Sequence, residues 1–214
     1  MITRMDRDIG RLADLLRSRG IERNTVVMFI SDNGPHQEGG GDPGFFKSSG
    51  PLRGIKRDLY EGGIRVPAAI CWPAKIPRNT VSPASAAHID VFATVLDAAG
   101  IPLPKQNGPH AVSGMSLLAH LQGGGREPLA DRYLYWDLYG KMAALHGDWK
   151  IVANVDNHHG KWDQAIEQVA AAKFELYDLA NDIGEKQNLA DERQEIYRDL
   201  KEHYLAWFRA ATRE

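Results

Sequence analysis

Five consecutive apolar residues, Val26-Val-Met-Phe-Ile30, run into a polar close at Ser31-Asp-Asn-Gly34. An unbroken run rich in β-branched residues predicts a strand covered on both faces, the pattern of a parallel sheet in an α/β protein. Upstream, Met5, Ile9, Leu12 and Leu16 recur at helical spacing with Arg and Asp between them, which predicts an amphipathic helix over about residues 3 to 19, closed by Gly20. Residues 34 to 56 are dominated by Gly, Pro and polar types and read as a long loop above the sheet. Val66 to Trp72 is a second apolar strand, and a helix opens from Thr80 with Ile89, Phe92, Leu96 and Ala99 on one face and Gly100 as its stop. Strand, helix and strand in so short a span fit a doubly wound layer.

The pattern changes after Pro102. Glycines, prolines and a short helix at Met115 to Leu121 form a connector, and Gly123-Gly-Gly125 is the expected boundary between a first part, 1–122, and a second, 126–214. Tyr133 to Tyr139, Ala143 to Leu145, Trp149 to Val155 and Phe174 to Leu179 are short aromatic and β-branched segments divided by turns, which predicts a small antiparallel sheet. A terminal helix over about residues 191 to 211 carries Ile196, Leu200, Tyr204 and Phe208 on its buried face.

Composition narrows the classes without choosing one. A chain of 214 residues that is 43% hydrophobic and 25% charged can build a sizeable core. The net charge of -2 gives no overall attraction to nucleic acid or to an anionic membrane. A single cysteine excludes an internal disulfide framework and a cysteine-rich zinc site. No run is long enough to span a membrane, and Met1-Ile-Thr-Arg lacks the apolar stretch of an export signal.

Chemistry is concentrated at the end of the first strand. Asp32 and Asn33 stand at its carboxyl edge, where open α/β sheets bind their ligands, and two adjacent oxygen-bearing side chains suit one hard cation or one substrate. Asp-Asn-Gly is equally ordinary turn chemistry. His36 follows on the same loop, within reach as a proton or hydrogen-bond donor. His88 is read as a packing or capping residue, His158-His159 as solvated loop histidines, and Trp136, Trp149 and Trp162 as sugar-stacking candidates by chemical type alone.

Further blocks lie in order beyond this point: Leu52-Arg53-Gly-Ile-Lys56, Tyr60-Glu61-Gly-Gly-Ile-Arg65-Val-Pro67, Trp72-Pro73 and the tail Leu176-Tyr-Asp-Leu179-x-Asn-Asp182-x-Gly-Glu185-x-x-Asn-Leu189. With Ser31-Asp-Asn-Gly-Pro35 they resemble the second half of sulfatases of the arylsulfatase type, in the alkaline-phosphatase superfamily. The resemblance implies part of a doubly wound α/β sheet followed by a small antiparallel sheet with a C-terminal helix. It implies hydrolysis of sulfate esters on a sulfated small molecule or carbohydrate, assisted by Ca2+ or another divalent cation. Asp32 and Asn33 would be metal ligands, joined by two aspartates from a preceding half, and Lys56 would contact the sulfate as a point charge. His36 would lie near the substrate, Arg53, Arg57 and Arg65 are weaker candidates, and Glu61 would pair with Arg65 to hold the loop.

Enzymes of this family attack sulfur with a formylglycine made from the cysteine of Cys-x-Pro-x-Arg. Cys71-Trp-Pro73-Ala-Lys75 has Lys in place of Arg and follows the Lys56 block instead of preceding the metal pair, so Cys71 is read as a strand residue. The expectation is therefore a C-terminal portion that is inactive alone, with the nucleophile on a missing N-terminal half. A whole protein of this kind is expected to be periplasmic or secreted. Two other classes remain open: a non-catalytic anion- or carbohydrate-binding remnant, and a related phosphatase or phosphodiesterase.

Overall fold

A computed structural model describes residues 1–104, 113–124, 129, 131–155 and 162–212, with the backbone alone for 162–164. Along the chain lie α1 (Ile2–Ser18), β1 (Val27–Ile30), α2 (Glu61–Ile64), β2 (Ala68–Cys71), α3 (Asp90–Ala98) and α4 (Leu118–Leu121). They are followed by β3 (Tyr133–Leu138), β4 (Lys141–His146), β5 (Trp149–Asn154), α5 (Trp162–Ala171), β6 (Glu175–Asp178) and α6 (Gln194–Ala211). These elements form two compact units, Met1–Ile30 with Ala68–Leu129, and Ser31–Pro67 with Ala130–Glu214. A single cut between 122 and 126 does not describe this division, because residues 31–67 group with the C-terminal sheet. Gly125 lies outside the described residues, as do His158 and His159.

In the first unit, α1 ends as its sequence foretold, with Gly20 at φ 68° and the Ile21 N–H donating back to the Leu16 carbonyl. Its apolar stripe is exposed; Met5, Ile9 and Leu12 bury nothing. β1 and β2 pair antiparallel, Val27 with Cys71 and Ile30 with Ala68, which corrects the parallel pairing expected of them. The chain explains the direction. Residues 31–67 leave the end of β1 and return beside it, with the Ser31 N–H donating to the Pro67 carbonyl at 3.3 Å, so β2 starts where β1 stops and must run back along it. Val27 and Phe29 are both about two-fifths exposed, so β1 is not covered on both faces.

The helix expected from Thr80 begins only at Asp90, and its buried residues are Asp90, Ala93 and Thr94. Asp90 is fully buried and accepts the N–H groups of Ala87 and Met115, while the Thr94 hydroxyl accepts that of Leu117. Those bonds tie α3 to the segment entering α4, and Ile89 and Phe92 are left exposed.

The second unit is built on an antiparallel meander, β3-β4-β5-β6. Tyr139 and Gly140, both at positive φ, make the tight turn into β4, as two-residue hairpins require. Met142, Ala144, Ile151, Ala153 and Leu176 face one side and pack on Ala165 and Val169 of α5 and on Leu200, Tyr204 and Phe208 of α6. The period-2 alternation sends Ala143, Lys150, Val152 and Tyr177 to the other side. Trp149 packs against the core, and the Trp162 side chain lies outside the described residues. Helix α5 is absent from the sequence reading above. No described helix is long and apolar enough to cross a membrane.

Leu200→Ala should cost about 2–5 kcal/mol by leaving a cavity beneath the meander, read as a lower urea midpoint in tryptophan fluorescence. Leu12→Ala, on the exposed stripe of α1, should stay within about 0.5 kcal/mol. Equal costs would show that α1 is buried in solution.

Candidate functional site

Residues 31–67 are held by their own backbone. The Gly34 N–H donates to the Gly63 carbonyl at 2.9 Å, the Gly62 N–H to the Arg53 carbonyl at 2.6 Å and the Lys56 N–H to the Pro35 carbonyl at 2.8 Å. Three strands of loop meet without side chains between them. A methyl at Gly62 would lie 2.2 Å from the Gly54 carbonyl oxygen, and one at Gly63 would lie 2.1 Å from that of Asp58. Only glycine permits that approach. The Glu61-Gly-Gly63 block is thus the knot that brings the 31–36 and 53–58 segments side by side.

A buried charge cluster fixes this knot to the sheet. Lys150 has a side chain that is 0% exposed; its Nζ donates to Glu61 Oε1 at 2.8 Å and forms an ion pair with Glu185 Oε1 at 2.9 Å. The second Glu185 oxygen accepts the Glu61 N–H at 2.6 Å, and Glu61 Oε2 accepts from Arg65 Nη1 at 3.0 Å. Burial pushes the Glu185 carboxyl up, against the downward pull of Lys150. Beside the cluster, Arg53 donates to the Tyr177 hydroxyl and the Glu185 carbonyl, and Tyr60 and Tyr177 both donate to Glu175 Oε2. The expected Glu61–Arg65 pair is present, but Lys150 and Glu185 are what hold it.

Two cavities open on this frame. One, of about 630 Å³, is lined by Asp32, Asn33, His36, Ser48, Ser49 and Arg65, among others. The Ser31 hydroxyl donates to the Asn33 carbonyl at 3.0 Å and the Asn33 amide nitrogen to the Gly34 carbonyl at 2.8 Å, and Asn33 Oδ1 accepts no hydrogen bond among the described residues. The exposed Asp32 carboxylate makes no hydrogen bond or ion pair among the described residues, so the alternative Asx turn does not form. A carboxylate and an amide oxygen suit a hard cation, but such an ion takes about six to eight oxygens, so these two fit part of a shell. Among the described residues no three His, Cys, Asp or Glu side chains gather to complete it.

The other cavity, of about 300 Å³, is lined by His36, Lys56, Arg57, Asp58 and Lys141, with Glu38. Lys56 is half-buried, and its ammonium has no partner among the described residues. His36 Nδ1 accepts the Glu38 N–H at 3.1 Å, so Nε2 carries the proton and is a donor. The structure therefore brings Asp32, Asn33 and His36 to one cavity and Lys56 to its neighbour, with His36 lining both. Cys71 is exposed, correcting the buried strand cysteine expected, and lines neither cavity. His88 is exposed beside the start of α3. Sequence reasoning missed Lys141, which carries no spacing signal, and Lys150, whose signal was a lysine inside the apolar strand Trp-Lys-Ile-Val-Ala.

Two family models match: sulfatase over residues 1–101, and the C-terminal part of N-sulphoglucosamine sulphohydrolase over residues 55–209. The chain is 31% identical over 208 residues to an N-acetylgalactosamine-6-O-sulfatase of Bacteroides thetaiotaomicron, covering 94% of this chain and 40% of that protein. Among solved structures it is similar to a Bacteroides thetaiotaomicron protein from work on the metabolism of multiple glycosaminoglycans, at 30% identity and TM-score 0.73, covering 95% of this chain and 43% of the other. A protein solved with neocarrahexaose shares the fold at TM-score 0.75 and 22% identity, over 97% of this chain and 42% of the other. The chain thus spans about two-fifths of the length of the relatives it matches.

Lys150→Met should cost about 3–5 kcal/mol, because it leaves two carboxylates buried without their cation; adding Glu61→Gln and Glu185→Gln should recover most of that loss in denaturant titrations. A single variant as stable as the unsubstituted protein would remove the cluster from its structural role. Since the Glu185 carboxyl is raised, its contribution is complete below the ordinary value of about 4.3 and is lost as pH rises through the folded value. Glu185→Gln should therefore flatten the dependence of melting temperature on pH, whereas an unchanged slope would assign it to other groups.

Proposed function

Since the chain belongs to the sulfatase family, with its alkaline-phosphatase-like α/β fold, we propose that it supplies part of the active site of a sulfate ester hydrolase acting on a sulfated carbohydrate. The observation that carries this reading is the half-buried Lys56, without a partner among the described residues, one cavity from Asp32 and Asn33, with His36 lining both. The carbohydrate rests on the relative named for N-acetylgalactosamine 6-O-sulfate. Because the chain spans two-fifths of such relatives, the remaining cation ligands and the nucleophile are proposed to lie on a preceding stretch of the whole protein.

Asp32 and Asn33 Oδ1 would hold a calcium or similar divalent ion. When bound, that ion would neutralise sulfate oxygens and lower the charge cost of attack at sulfur. Lys56 offers three donors to the sulfate and balances charge on the leaving oxygen as the ester bond breaks. His36, with its Nε2 proton, donates a hydrogen bond to the substrate. Arg65, paired with Glu61, lines the Asp32 cavity and supports its shape.

Sulfate release from an aryl sulfate with calcium present tests this, comparing the 214-residue chain with a form carrying the preceding coding region. Activity should occur in the longer form alone and fall by about 10²–10³ on Lys56→Ala. Turnover by the 214-residue chain that is lost on Cys71→Ala would overturn the assignment of the nucleophile. A longer form indifferent to Lys56→Ala would overturn the site.

A further inference from the structure

The cavity around Lys56 contains a second ammonium that the sulfate reading does not use. Lys141 is the first residue of β4, directly after the Tyr139-Gly140 turn, and is held by the strand pairing of Leu138 with Lys141. A side chain on a paired strand after a two-residue turn is placed more tightly than one on a loop. Its Nζ lies 2.7 Å from Asp58 Oδ1, and each side chain is about one-third exposed. Asp58 is itself fixed, its other oxygen accepting the Ile55 N–H at 3.0 Å.

Charge in the cavity is uneven. Arg57 is paired with Glu38 and Lys141 with Asp58, which leaves Lys56, among the described residues, as the lysine or arginine of this cavity without a carboxylate partner. One ammonium matches one sulfate. At about 300 Å³ the cavity is large enough for a sugar bearing more than that group. A second anionic group entering it meets Lys141, and can take the cation from Asp58 because that ion pair is partly open to solvent and weakly held. Arg57 serves less well, since it lies on the loop and is largely exposed, whereas Lys141 is placed by a paired strand.

Resting on the reading of Lys56 as the sulfate contact, we propose that Lys141 is a specificity-determining residue that engages a second anionic group on the sugar, either a second sulfate or a uronate carboxylate. Asp58 holds Lys141 in place until that group displaces it. The residue thereby sorts singly from multiply acidic sugars and leaves the sulfate contact unaltered.

Isothermal titration of the 214-residue chain with three probes tests the proposal: N-acetylgalactosamine 6-sulfate, its 4,6-disulfate, and a disaccharide joining the 6-sulfate sugar to a uronate. Lys141→Ala should weaken one or both multiply acidic probes about tenfold and leave the monosulfate within about twofold; the probe that responds identifies the second group. Lys141→Arg should retain affinity. Asp58→Asn, which keeps an acceptor for the Ile55 N–H, should strengthen the same probes severalfold, a change that loss of folding cannot mimic. Lys56→Ala should weaken all three. If Lys56→Ala does so but Lys141→Ala affects all probes equally or none, this inference falls and the sulfate site stands. If Lys56→Ala has no effect, the sulfate reading falls and takes the inference with it.

Discussion

Lys150 is a cation with no exposed surface, and the second unit is arranged to make that tolerable. Removing an ammonium from water costs several kcal/mol even after relaxation, and only carboxylates at hydrogen-bond distance with their own remaining lone pairs satisfied offset it. Here they come from two places far apart in the chain, Glu61 in the loop that carries the candidate site and Glu185 in the turn after β6. With Arg65 the group holds two cations and two carboxylates, so it is neutral as a whole. The register of β5, the helical turn at Glu61 and the tail turn must all be correct for the cluster to close. Such a cluster contributes little net stability over an apolar core of equal volume; its consequence is that the arrangement has few near-degenerate competitors.

The glycines do the complementary task. Gly34, Gly62 and Gly63 let backbone lie on backbone, so the 31–36 and 53–58 segments are fixed at hydrogen-bond spacing instead of side-chain spacing. Lys56 follows from this directly, because its own N–H is bonded to Pro35, one residue before His36. A long polar loop, which would otherwise be the most mobile part of the chain, becomes a platform attached to a sheet. The two cavities open on that platform, one with the Asp32 carboxylate and the Asn33 amide and one with the Lys56 ammonium, which has no partner among the described residues.

Much of this was legible in advance. The four strands of the meander and the face of α6 were readable because period-2 and period-3.6 patterns report directly on which side meets a core. The order of the Ser-Asp-Asn-Gly, Leu-Arg-Gly-x-Lys and Tyr-Glu-Gly-Gly-x-Arg blocks carried the family, and the family models agree. Helix α3 was misread for a physical reason. Its apolar stripe was assigned to the interior, yet buried Asp90 and Thr94 satisfy backbone donors of the 115–117 segment and turn their own face, with Ala93, inward. β1 was misread because an apolar run states that cover is needed and says nothing about the direction of its partner.

By itself, then, the sequence determined most of the local elements and the residue types at the candidate site, since each depends on neighbours within a few positions, whereas the glycine knot joins Gly34 to Gly63 across the whole loop. Only the tertiary structure decided which charges meet. Lys150 with Glu61, Arg53 with Tyr177, and Lys141 with Asp58 are separated by 83 to 124 residues, and no periodicity spans such intervals. Those pairings are fixed by the alternation of β5 and by the turn that starts β4, which send a lysine to the loop side of the sheet. The reason is electrostatic: a desolvated charge selects its partner by distance in space, a quantity that chain order does not contain.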